Sequence, residues 1–180
     1  MSAPSAPRPP QVERFLAWER ACTVRLHRRL SSPEWCAVLA AVSRLSNGWI
    51  WFTLMVALAL SGPEGRHAAT HMLIAGSVAS IVYKILKACT GRPRPCRRLA
   101  DVRLLVAPLD EFSFPSGHAL HAVTFSVIAM AYYPSLGLGL VPFTMLVAIS
   151  RVALGLHYPS DVAAGAAIGW VIALGSFRFL

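Results

Sequence analysis

Between Phe112 and Leu180 the chain carries only three formally charged side chains, Arg151, Asp161 and Arg178, in 69 residues. A domain that faces water on all sides carries about 25% charged residues, so this stretch is written for a different solvent. The rest of the chain dilutes the contrast without removing it: of 180 residues 14% are charged and 56% hydrophobic, with a mean hydropathy of +0.55. One domain's length with more apolar content than one small core can bury implies an integral membrane protein. Long apolar segments with turn signals between them make it all-α, a helical bundle in the bilayer.

The charge balance narrows the partners. Seventeen basic residues face eight acidic ones, a net +9, and lysine occurs only at positions 84 and 87. Nucleic acid, anionic lipid and phosphorylated small molecules all suit that sign. The basic residues gather in the first thirty positions and between Lys84 and Arg103, however, instead of forming a broad wet face, and nucleic acid is therefore not expected. The four cysteines, at 22, 36, 89 and 96, show neither Cys-x-x-Cys spacing nor a nearby His-x-x-x-His. No disulfide framework, metal site or cofactor is predicted.

Residues 1–33 divide into a proline-rich lead-in of about ten residues and a basic amphipathic helix from Val12 to Leu30, which reads as interfacial. Residues 34–180 read as the transmembrane domain. Ser32-Pro33-Glu34 is a helix start for Trp35 to Leu45, and Ser46-Asn47-Gly48 is a turn. Apolar segments follow at Trp49 to Leu60, Ala68 to Ala88, Pro115 to Tyr133, Ser135 to Leu156 and Pro159 to Phe179, about five crossings in all. The polar connection from Thr90 to Phe114 is long for a linker, which favours a functional loop. Small residues from Ala163 to Gly169 suit close helix contact within lipid.

A charge inside an apolar segment costs about 2.5 to 3.5 kcal/mol at a helix centre, so Arg151 and Asp161 require a reason. Mutual neutralisation is the plain one. The alternative comes from counting membrane faces: alternating crossings bring Lys87, Arg94, His118, Arg151, His157 and Asp161 to one side. There Pro115 suits the first turn of a helix whose Ser116, Gly117 and His118 present N–H groups to an anion. Asp161 suits the first turn of the last helix, where a carboxylate accepts an imidazole N–H from His157 and frees the other ring nitrogen to attack. Lys87, Arg94 and Arg151 would hold a tetrahedral dianion in place of a metal.

Lys87 with six residues before Arg94-Pro95, the quartet Pro115-Ser116-Gly117-His118, and Ser150-Arg151 with five residues before His157 and three before Asp161 resemble the three-part signature of the type 2 phosphatidic acid phosphatases, a family in one superfamily with vanadium haloperoxidases. The resemblance covers about Trp49 to Leu180, and the basic Val12 to Leu30 segment departs from the first crossing of six-span members. It implies a membrane-bound, metal-independent phosphatase acting on a lipid monophosphate or diphosphate. His157 would be the nucleophile that forms a phosphohistidine, Asp161 its orienting group and His118 the acid for the leaving oxygen. Lys87, Arg94, Ser116, Gly117 and Arg151 would bind phosphate. The implied location is a bacterial inner membrane with the site extracytoplasmic, whereas the basic residues counted by the positive-inside rule favour the cytoplasm. Phosphotransfer or vanadate-dependent oxidation at the same pocket, and a silent lipid-binding scaffold, are the rival readings. His121, three residues after His118, reads as a packed or lipid-interface histidine in preference to an aid to the acid or a substrate contact, His67, His71 and His27 as interfacial, and Arg92, Arg97, Arg98 and Arg103 as headgroup-attracting or substrate-rim charges.

Overall fold

The computed structural model describes residues 9–179, so most of the proline-rich lead-in lies outside the described residues. Eight helices follow in chain order: α1 Pro10–Arg29, α2 Pro33–Leu45, α3 Trp49–Leu60, α4 Pro63–Thr90, the short α5 Pro95–Arg98, α6 Gly117–Tyr132, α7 Gly137–Ala153 and α8 Pro159–Ser176. Their boundaries follow local chemistry. Ser32 caps α2 by accepting the Trp35 N–H, with Pro33 in the first turn. Gly91, in the left-handed region at φ 56°, ends α4 and returns its N–H to the Lys87 carbonyl.

Helix α6 is the hub, packed on α4, α7 and α8. Along α8, Gly165 and Gly169 let the backbones of α6 and α8 meet. A methyl group at Gly169 would stand 2.3 Å from the Leu120 carbonyl, and one at Gly165 2.5 Å from that of Ser116. The small-residue stripe thus does what its composition predicts. Trp51, Met72, Phe125, Ile128 and Val147 fill the core between α3, α4, α6 and α7. Large apolar side chains on the outer surfaces, including Leu60, Ile81, Leu138 and Val171, stand exposed, a girdle suited to hydrocarbon.

By length and apolarity two elements qualify as crossings, Pro63–Thr90 and the run Pro134–Ala153, while Trp49–Leu60 is apolar but only 12 residues long. The expected five are therefore not reproduced by helix length: α6 has 16 residues, and α8 is diluted by its polar first turn and its glycines.

Helix α1 is packed against α7 and α8 and is not only a surface helix. Its buried face carries Glu19, Thr23 and His27. The sequence placed His27 at the interface; instead its Nδ1–H donates to the Ala153 carbonyl at 2.8 Å and its Nε2 accepts the Arg103 N–H at 3.2 Å. His71 is likewise buried, between the Tyr132 hydroxyl at 2.9 Å and the Ser176 hydroxyl at 2.7 Å, which ties α4, α6 and α8 at the end remote from Lys87.

Candidate active site

The C-terminal ends of α4 and α7, the N-terminal end of α6, the α2–α3 turn with the start of α3, the 91–116 connection and the turn after α7 meet around a cavity of about 370 Å³. Lys87, Arg94, Gly117, His118, Arg151 and His157 line its polar end, and Trp51, Phe52, Met55 and Phe125 its apolar side. Six of the eight residues singled out in the sequence thus share one cavity wall. Ser116 and Asp161 do not reach it.

His157 lies between α7 and α8, where the N–H groups of Leu156 and His157 both return to the Arg151 carbonyl and Gly155 turns the chain at φ 76°. A side chain at Gly155 would also meet the Arg103 carbonyl at 2.7 Å. The imidazole is 1% exposed. Its Nδ1–H donates to the Ser113 carbonyl at 2.6 Å, which leaves Nε2 as an acceptor, 3.2 Å from Arg94 Nη1. Burial, reinforced by the Arg151, Arg94 and Lys87 charges, pushes the ring well below the ordinary histidine range. A neutral ring with its lone pair on Nε2 is the form a nucleophile needs.

Asp161 differs from expectation. Its Oδ2 stands 3.8 Å from His157 Nδ1, outside hydrogen-bond range, and accepts the Tyr158 N–H at 2.8 Å. Its Oδ1 accepts from Arg92 at 2.6 Å. The physical reason is local: a carboxylate in the first turn of α8 closes a reciprocal cap with Tyr158, and the nearer Ser113 carbonyl takes the imidazole proton. Asp161 does not pair with Arg151 either, so mutual neutralisation does not explain the two buried charges.

The three cations are held differently. Lys87, with 9% of its side chain exposed, donates to Asp110 Oδ2 at 2.5 Å and to the Phe112 carbonyl at 3.2 Å. Arg94 donates to Asp110 Oδ1 at 2.8 Å, the Asp110 carbonyl at 3.1 Å and the Leu156 carbonyl at 2.8 Å. Burial alone would raise the Asp110 carboxyl, but its hydrogen bond and charge contact with Lys87, then Arg94, hold it below the usual carboxylate range. Among the described residues Arg151 meets no carboxylate. It donates to the Ser43 hydroxyl, and its Nε has no partner. Among the described residues the only other buried side-chain donor so orphaned is Trp51 Nε1, from the same cavity wall.

Helix α6 starts at Gly117, two residues later than the sequence placed it, because Ser116 is the cap. The Ser116 N–H is taken by the Asp161 carbonyl at 3.0 Å, its hydroxyl accepts the Ala119 N–H at 3.5 Å, and the residue is fully buried outside the cavity lining. Gly117 and His118 lead α6, where N–H groups have no intrahelical acceptor. His118 Nε2–H donates to the side-chain carbonyl of Asn47 on the α2–α3 turn. His121 lines the cavity but is bonded to the Gly117 carbonyl at 2.8 Å and Ser80 at 2.9 Å.

Arg92, read from the sequence as a rim charge, is a clasp. It binds Asp161 and Glu19 at 2.6 Å each and lies 4.2 Å from the Tyr158 ring, while Glu19 also receives the Ser160 hydroxyl. Asp110, Asn47, Ser43 and Glu19 were not among the site residues expected from the sequence. Only Asp110 had a signal, as an acidic residue in a basic connection.

The model of the PAP2 superfamily matches residues 68–180. The decaprenylphosphoryl-5-phosphoribose phosphatase of Mycobacterium tuberculosis is 36% identical over 125 residues, 68% of this chain and 66% of that protein. The undecaprenyl-diphosphatase BcrC of Bacillus subtilis is 28% identical over 127 residues, 70% of this chain and 65% of that protein. Among solved structures, LpxE of Aquifex aeolicus superposes with a TM-score of 0.77 at 26% identity, over 87% of this chain and 93% of that one. The chain spans less than two thirds of the length of the curated relatives named here. With a family model over more than half its length and the three motif blocks around one cavity, the chain belongs to the PAP2 superfamily.

Proposed function

We propose that this protein is an integral membrane lipid phosphatase that removes the terminal phosphate of a lipid monophosphate or diphosphate through a phosphohistidine. The observation that carries the reading is a neutral, buried His157 whose lone pair on Nε2 faces Arg94, one of three buried cations at the cavity, with Arg151 keeping an unpartnered N–H. Curated relatives named for polyprenyl-linked phosphates support the substrate class, and the apolar side of the cavity suits a lipid tail.

In the first step His157 Nε2 attacks phosphorus, the P–N bond forms, and the P–O bond to the leaving group breaks. His118 gives the departing oxygen its proton. In the second step water loses a proton to His118 and attacks phosphorus, the P–N bond breaks, and inorganic phosphate leaves. Lys87, Arg94 and Arg151 neutralise the equatorial oxygens in both steps, the task metal ions perform at other phosphoryl-transfer sites. Asp161 acts indirectly, by fixing Tyr158 and the turn that carries His157. Ser116 holds the start of α6 against α8.

The test is phosphate release by purified full-length protein from a polyprenyl monophosphate and a polyprenyl diphosphate with EDTA present. Wild type is expected to release phosphate, and His157→Ala to lose about 10⁴-fold or more. Activity surviving in His157→Ala removes the nucleophile assignment. A folded wild type that releases nothing from any lipid phosphate points to a silent lipid-binding protein.

A further inference from the structure

The carboxylate of Asp110 occupies two of the three phosphate-binding cations from inside the cavity. Lys87 and Arg94 are 9% and 2% exposed in their side chains, whereas Asp110 is 36% exposed and lines the cavity itself. The Leu156 and Phe112 carbonyls, which also hold these cations, belong to residues outside the cavity lining, as a carboxylate serving only as a prop would. Asp110 instead meets them where an anionic ligand would.

Its charge alters what the pocket can neutralise. Lys87, Arg94 and Arg151 bring three positive charges, His157 is neutral, and Asp110 subtracts one. The remainder matches a phosphomonoester, which carries about −1.5 to −2 at neutral pH. A diphosphate brings a second anionic phosphoryl group that would meet the Asp110 carboxylate instead of a free cation.

We propose that Asp110 is a specificity-determining residue that fits the pocket to a lipid phosphomonoester in preference to a diphosphate. This rests on the cavity being the phosphate site, and its test is separable from catalysis. Calorimetry on the full chain in detergent compares inorganic phosphate with pyrophosphate as probes for wild type, Asp110→Asn and Asp110→Glu. The Asn variant is expected to bind pyrophosphate about tenfold tighter relative to phosphate, with Asp110→Glu restoring the wild-type ratio. With polyprenyl substrates of one tail length, the Asn variant is expected to lower KM for the diphosphate more than for the monophosphate.

The converse variant guards against a folding defect in Asp110→Asn. Leu109 also lines the cavity and is exposed, so Leu109→Asp adds a carboxylate at the mouth and is expected to weaken pyrophosphate more than phosphate. Equal weakening of both probes in Asp110→Asn, or an unchanged ratio in both variants, would make Asp110 a prop for Lys87 and Arg94 and overturn the proposal. A shifted ratio in a protein that hydrolyses no lipid phosphate would uphold the charge matching while sinking the catalytic reading.

Discussion

At the scale of a residue, His157 is costly to bury and useful for that reason. Burial and three neighbouring cations hold the folded imidazole below its ordinary value, while the unfolded chain binds a proton near pH 6.5. A depressed folded value means that the stability contributed is present above the unfolded pKa and falls as pH drops through and below it. The slope per unbound proton is about 1.4 kcal/mol per pH unit. Melting temperatures of wild type and His157→Asn, recorded from pH 7.5 down to about 5, are expected to diverge: wild type loses stability faster, and the variant, with no ring to protonate, follows a shallower course. Parallel curves would mean that the folded ring takes up its proton as easily as the unfolded one.

The same scale shows what a sequence can and cannot disclose. Lys87, Arg94, His118, Arg151 and His157 were legible because each sits at a helix end or proline boundary, at fixed spacing from its neighbours, and crossing parity then brings them together. Their partners were not. Asn47 reaches His118 across 71 positions and Ser43 reaches Arg151 across 108, from segments with no periodic signal to single them out. Asp161 was legible as a first-turn carboxylate, but its bonding was decided by two competitors, the Ser113 carbonyl and Arg92, that spacing does not reveal.

At the scale of an element, proline and glycine punctuation gave helix boundaries within a few residues, since Pro33, Gly48, Pro63, Gly91 and Pro159 each stand at an end. What punctuation could not give is which face of α1 turns inward. Its arginines suggest water or headgroups; the inward face is set by Glu19 and His27, which find polar partners in Arg92 and the Ala153 carbonyl, while Thr23 between them returns its hydroxyl to the Glu19 carbonyl of α1 itself. The α6–α8 contact is the element-scale feature that most directly fixes the site, since it sets Ser116 against Asp161 through one backbone hydrogen bond. Gly169→Ala puts a methyl group within contact of the immovable Leu120 carbonyl, and the helices must separate. A loss of about 1 to 3 kcal/mol is expected by analogy with overpacked cores, read as a lower denaturation midpoint. Gly139→Ala, where nothing lies within 4 Å of the added methyl, serves as the control and is expected to change it little.

At the scale of the whole molecule, charge is concentrated at the end that holds the cavity. Counted by the positive-inside rule, that end faces the cytoplasm. The rule weighs arginines that are free to interact with lipid headgroups during insertion, and here three are committed within the fold: Arg92 to Glu19 and Asp161, Arg94 to Asp110, and Arg151 to Ser43. Basic residues retained for a phosphate site and its clasps are weak markers of side, so the extracytoplasmic orientation implied by the motif resemblance is the expected outcome. Asp101 offers a place to measure it. Its pair with Arg28 is exposed, with 61% and 65% of the two side chains accessible, so replacing it should change stability by well under about 1 kcal/mol. In a chain with Cys22, Cys36, Cys89 and Cys96 changed to serine, Asp101→Cys is expected to react with a membrane-impermeant maleimide in intact cells. Reaction only after the membrane is opened would put the cavity in the cytoplasm, and the arginine count would then have been the better guide.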